Sequence, residues 1–115
     1  MTPDPPLFVL WYDFTKWLLD KTGRFPKRVR FSFSNRIDNL ALDIIEAIVE
    51  ARYSAEKRAI LRCIDLNLEK LRVLLRMCCD QHYLDIKGHE FASKKIGEAG
   101  KMVGGWRNQQ EKKGR

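Results

Sequence analysis

No apolar run in the 115-residue sequence approaches the length of a membrane span: about 20 consecutive apolar residues are needed, and charge interrupts every cluster well before that. Cysteine is scarce. Cys63, Cys78 and Cys79 cannot all pair, and the two neighbours sit inside an apolar helical pattern, which reads as reduced core thiols rather than a disulfide framework. Histidine is scarcer still. With Cys78 and Cys79, His82 and His89 are the only soft metal ligands close together. Cys78 and His82 would share a helix face, but no paired CxxC or HxxxH spacing accompanies them, so no metal is expected. Acidic Asp4 and three prolines, Pro3, Pro5 and Pro6, stand where a secretory signal needs basic residues, so the expectation is a soluble cytoplasmic protein.

Catalytic patterns are lacking too. Gly97, Gly100, Gly104 and Gly105 occur without the Lys-Ser/Thr pair or preceding strand of a phosphate-cradling loop. Asp38, Asp43, Glu46 and Glu50 are spaced as on a solvated helix face, and no Ser or Cys stands beside a base on a rigid turn. The sequence therefore reads as a non-enzyme that needs no cofactor. Three small residues, Gly97, Gly100 and Gly104, would expose backbone along one helix face where a neighbour could approach.

What is present is helical periodicity. Leu7, Leu10, Trp11, Phe14, Leu18 and Leu19 recur at intervals of three and four, predicting a first helix over about 6–22. Gly23 and Pro26 stop it, and a loop from Gly23 to Phe33 is expected, with its aromatics plugging the core. Ser34 is placed to cap a second helix over 35–52, carrying Ile37, Ala41, Ile44, Ile48 and Val49. Ser54 is placed to cap a third, reaching about 83, on Leu61, Ile64, Leu68, Leu71, Leu75 and Cys78. A second apolar set on it, Leu66, Val73, Leu74 and Met77, is wide enough to touch more than one neighbour. Lys87 and Gly88 mark the last connection. A fourth helix over 88–104 ends at Gly104 and Gly105, followed by a disordered basic tail over 108–115. The expected fold is all-α, one up-down-up-down four-helix bundle over residues 1–107.

Charge gives the functional direction. Lys and Arg number 22 against 15 Asp and Glu, a net charge of +7, so the surface field attracts polyanions. Arg24, Lys27, Arg28 and Arg30 fall together beside Phe25 and Phe31, supplying charge for phosphates and rings that can stack bases. On helix three, Arg58, Arg62, Asp65 and Glu69 can pair locally, while Arg72 and Arg76 have fewer acids nearby and are candidate partner contacts. Lys94, Lys95 and Lys101 on helix four read equally as binding residues or as solvated surface. A surface of this kind suits RNA or DNA with little sequence specificity. The other reading is an oligomeric scaffold that binds only protein.

The stretch Phe25-Pro26-Lys27, the run from Leu68 to Arg76 and the ending from Ile96 to Gly104-Gly105-Trp106, in this order, resemble the Avd family of diversity-generating retroelement accessory proteins. Related four-helix bundles include proteins encoded within ribosomal RNA intervening sequences. The resemblance spans Leu7 to Trp106. It implies a homopentamer of bundles forming a basic barrel, which associates with the reverse transcriptase and binds RNA and DNA. Such a protein assists mutagenic copying of template RNA into cDNA, or mutagenic retrohoming, while the polymerase does the chemistry. It further implies roles for Lys27, Arg72 and Arg76 as basic positions within the matching stretches, and for Gly104, Gly105 and Trp106 as the helix-four ending. Trp106 also reads as a cap on the end of the bundle.

Overall fold

In the computed structural model, which describes residues 4–113, the chain forms α1 (Pro6–Thr22), α2 (Asn35–Tyr53), α3 (Arg58–Asp80) and α4 (Ile86–Lys113). There is no strand among the described residues. Proline opens α1 where its missing N–H costs nothing. Leu7, Trp11, Phe14 and Leu18 then turn inward, and the Trp11 indole donates to the Ala41 carbonyl of α2 at 2.9 Å, so the largest core residue leaves no polar atom unpartnered. The Gly23 N–H closes onto the Leu19 carbonyl, and Pro26 prevents continuation.

The segment after α1 is not the extended loop the sequence suggests. It coils into a 3₁₀ turn, Lys27–Val29, and a π turn, Arg30–Ser34, that runs directly into α2. Ser34 is buried in helical conformation and makes no capping bond, because the chain is already helical before it. Phe25 and Phe33 pack on the core as plugs, whereas Phe31 points into solvent.

Helix three begins later and ends earlier than expected. The Ser54 hydroxyl donates to the Glu56 carbonyl rather than capping the helix, and the Glu56 carboxylate receives the Arg58 N–H at 3.1 Å. At the far end the His82 N–H bonds to the Cys79 carbonyl and the Tyr83 N–H to the Cys78 carbonyl, a Schellman motif with His82 at φ 64° where glycine is usual. Asp85 then caps α4, accepting the Gly88 N–H at 2.7 Å, so Lys87 and Gly88 lie inside the helix.

Gly104 and Gly105 do not end α4, and the basic tail is helical through Lys113 instead of disordered; Gly114 and Arg115 lie outside the described residues. A helical glycine costs about 1 kcal/mol against alanine but does not by itself stop a helix, and no described glycine turns left-handed. Each helix packs against its sequence neighbours, and α4 packs against α1, closing an antiparallel ring. Ile37, Ile44, Ile64, Leu68, Leu71, Ile96 and Val103 fill the interior of this 49 × 28 × 24 Å rod.

Candidate nucleic-acid interface

Antiparallel packing gathers the end of α1, the start of α2 and the α3–α4 connection at one end of the rod, the basic end. From Lys21 to Ile37 inclusive the chain carries six basic residues and no acidic one. Lys27, Arg28, Arg30 and Arg36 are all exposed, and among the described residues none of them lies in an ion pair. Arg24 does, reaching Asp20 at 3.3 Å one turn back. Arg28 is held without being neutralised. Its guanidinium lies 5.4 Å from the Tyr83 ring centre and donates to the Tyr83 hydroxyl at 3.2 Å, and that ring packs on Phe25 and Phe33.

Two depressions flank this segment. A groove of about 960 Å³ runs between Lys21, Arg24 and Phe25 on one side and Tyr83, Ile86 and Lys87 on the other. A smaller recess of about 170 Å³ is lined by Thr22, Lys27, Arg30 and Asp38. In it the Thr22 hydroxyl donates to the Asp38 carboxylate at 2.6 Å. Partial burial pushes the Asp38 pKa above its usual value, and the Thr22 bond opposes that shift.

The remaining expected residues are dispersed along α3 and α4. Arg72, expected to have fewer acids nearby, has its Nε 3.2 Å from Glu69, close enough for attraction but without hydrogen-bond alignment. Arg76, Lys94 and Lys101 are exposed and unpaired among the described residues, whereas Lys95 sits 3.7 Å from Glu98 and over the Phe91 ring. The structure therefore unites Arg24, Lys27, Arg28 and Arg30 but does not bring Lys94 or Lys101 into their cluster. Arg36, at the start of α2 on the same end, was missed; it lines a separate depression with Asp43 and Lys70, and its signal was the acid-free stretch, visible only when residues are counted past the phenylalanines.

At the opposite, terminal end, Trp106 is half-buried against the core beside Pro5, Pro6, Leu7 and Met102, as a bundle-end cap would be. Gly104 and Gly105 do not support close packing within the chain, and neither do Gly97 and Gly100: a Cβ built on any of them meets nothing within 4 Å. The second apolar set on α3 is likewise unpartnered. Leu66 is 55% exposed, and Val73 and Met77 are almost as open, while Leu74 is half-buried.

Cys78 and His82 do not share a helix face in the fold. Cys78 is in the core, where burial raises its thiol pKa to about 11, and His82 lies beyond the helix end in solvent. Cys63 is exposed, against the expectation of core thiols throughout, and Cys79 is half-buried. Among the described residues no group of three His, Cys, Asp or Glu side chains is placed to hold a metal, and no helix is long and apolar enough to cross a membrane.

Comparison with known proteins yields no similar curated protein and no similar solved structure. A family model described as bAvd-like, however, matches residues 9–110, nearly the whole bundle and the stretches on which the resemblance to Avd rests. The chain belongs to the bAvd-like family.

Proposed function

We propose that this protein is the non-catalytic accessory subunit of a diversity-generating retroelement. It binds RNA and DNA through its basic end and docks on the reverse transcriptase. It self-associates, as a homopentamer, through the outer faces of α3 and α4. In this role it supports mutagenic copying of template RNA into cDNA in the cytoplasm. The observation that carries the nucleic-acid reading is the set of four exposed cations, Lys27, Arg28, Arg30 and Arg36, none of which lies in an ion pair among the described residues. Neutralised phosphates supply most nonspecific nucleic-acid affinity, so exposed cations outside any ion pair are well suited to the task. Self-association is supported by exposed Leu66, Val73 and Met77 on α3 and by the open glycine row of α4, which together offer an apolar face and backbone accessible to a second copy.

Light scattering followed by a salt titration tests the proposal. A pentamer is expected, with affinity for labelled RNA and DNA falling as salt rises at a log–log slope of about −3 for four phosphate contacts. A second reading, a scaffold that binds only protein, draws on the same apolar stripe. A pentamer that shifts neither RNA nor DNA at low salt would establish that reading and remove the first.

A further inference from the structure

Phe31 stands out among the apolar residues of the fold. It is 85% exposed, whereas Phe25 and Phe33, six positions before it and two after it in the chain, are packed on the core. Singly exposed apolar residues are ordinary on protein surfaces. Three features set this one apart. Its backbone is fixed, because it lies in the π turn Arg30–Ser34 between buried Val29 and buried Ser34, and the Ser32 hydroxyl ties back to the Val29 carbonyl at 3.2 Å. The turn is further pinned by the tilted ring contacts of Phe25 and Phe33 with Tyr83. Finally, the four residues before it include Lys27, Arg28 and Arg30, none ion-paired among the described residues.

A fixed aromatic face beside unneutralised cations is the arrangement that binds single-stranded nucleic acid: the cations hold consecutive phosphates and an unstacked base lies on the ring. Duplex offers the same phosphates but keeps its bases stacked on one another, so it gains from the cations and not from the ring. A hydrophobic anchor for a protein pocket would ordinarily be ringed by apolar or neutral residues, whereas the immediate surroundings here are cationic. We infer that Phe31 is a base-stacking residue that makes the basic end prefer unpaired nucleic acid, RNA or DNA, over duplex. The inference rests on the nucleic-acid reading proposed above and adds a strandedness preference that the charges alone do not confer.

The test is binding of a labelled 12-nucleotide single strand, as RNA and as DNA, and of the same strands annealed to their complements, at one fixed salt. Full-length wild type is compared with Phe31→Ala, Phe31→Trp and Lys27→Gln/Arg30→Gln. Because Phe31 is solvent-facing, Phe31→Ala leaves the melting temperature nearly unchanged, which checks that the fold is intact. Wild type is expected to prefer single strands. Phe31→Ala should weaken single-strand binding about tenfold, within the range of one lost base–aromatic stack, and duplex binding less than twofold, with an unchanged salt slope. Phe31→Trp should retain or strengthen the preference. The charge variant should weaken both forms alike. Equal effects of Phe31→Ala on single strand and duplex, or no effect on either, would overturn the inference while leaving the nucleic-acid reading in place. Loss of reverse transcriptase capture in Phe31→Ala with unchanged nucleic-acid binding would reassign the residue to a protein contact. Absence of any binding by wild type would overturn both.

Discussion

At the terminal end of the bundle, Lys57, Arg52 and Arg107 each spend their donors inside the fold. Lys57 Nζ lies 2.6 Å from the carbonyls of both Ala51 and Ser54, Arg52 reaches Asp4 at 3.4 Å, and Arg107 reaches Asp65 at 2.6 Å. At the basic end, Lys27, Arg30 and Arg36 have no ion pair among the described residues, and Arg28 has only the neutral hydroxyl and ring of Tyr83. The contrast is one of partners, since both ends carry cations. A cation facing helix-end carbonyls or a carboxylate stabilises the fold and has little field left for a ligand. One held by an aromatic ring keeps its full charge available. Net charge alone therefore overstates the binding surface, and position in the fold decides which cations count.

The largest expected effect separates the ends by their ligand. Replacing Lys27, Arg30 and Arg36 together with glutamine should lower affinity for RNA by about 100-fold at moderate salt and reduce the magnitude of the log–log salt slope by about 2, because three phosphate contacts are lost. The melting temperature should scarcely move, as exposed unpaired cations contribute little to stability. Electrophoretic shifts across a salt series would measure this. An unchanged slope would show that the cations at this end do not meet phosphates and would dissolve the distinction between the ends.

That distinction was only partly legible in the sequence. Pairings within one helix were written in the spacing: Arg24 with Asp20, Lys95 with Glu98 and Arg72 with Glu69 follow from intervals of three or four. Pairings across the bundle were not, because Arg107 on α4 and Asp65 on α3 meet only when those helices pack. The same division governs the fold. Apolar periodicity placed α2 to within a residue of its observed ends, since its interior positions repeat without interruption. The ends of α3 and α4 were misplaced because their signals were atypical. His82 takes the left-handed position that glycine usually takes, and Gly104 and Gly105 stay helical. The rings of Phe25, Phe31 and Phe33 look alike in sequence. Only the two short turns between α1 and α2 decide which of them face the core.

The next effect sharpens the comparison from the stabilising side. Lys57→Met keeps the aliphatic stem and removes the ammonium, so the carbonyls of Ala51 and Ser54 at the end of α2 lose a charged donor. The expected loss is about 1–2 kcal/mol in urea unfolding, in the range of hydrogen bonds to charged groups after partial compensation by water. RNA affinity should stay within twofold of wild type. A loss of affinity as large as that of the triple variant, with stability unchanged, would mean that the terminal end binds ligand as well.

The smallest effect concerns the one carboxylate recessed among the free cations. Asp38 shares its recess with Lys27 and Arg30 but forms no ion pair with either among the described residues, and burial raises its pKa in the fold. A carboxyl whose folded pKa exceeds its unfolded value binds protons more readily in the native state. Its ionised form therefore costs stability at neutral pH, and that cost disappears as pH falls through the folded pKa toward the unfolded value near 3.8. Asp38→Asn keeps an oxygen that can accept the Thr22 hydroxyl and removes the charge. The variant is expected to melt slightly higher than wild type at pH 7, with the difference shrinking steadily as pH is lowered to about 4. Thermal melts of both proteins across that range would show it. A difference that grows on acidification would mean that Lys27 and Arg30 attract the Asp38 carboxylate more strongly than burial penalises it, and the basic end would then be partly neutralised from within, as the terminal end is.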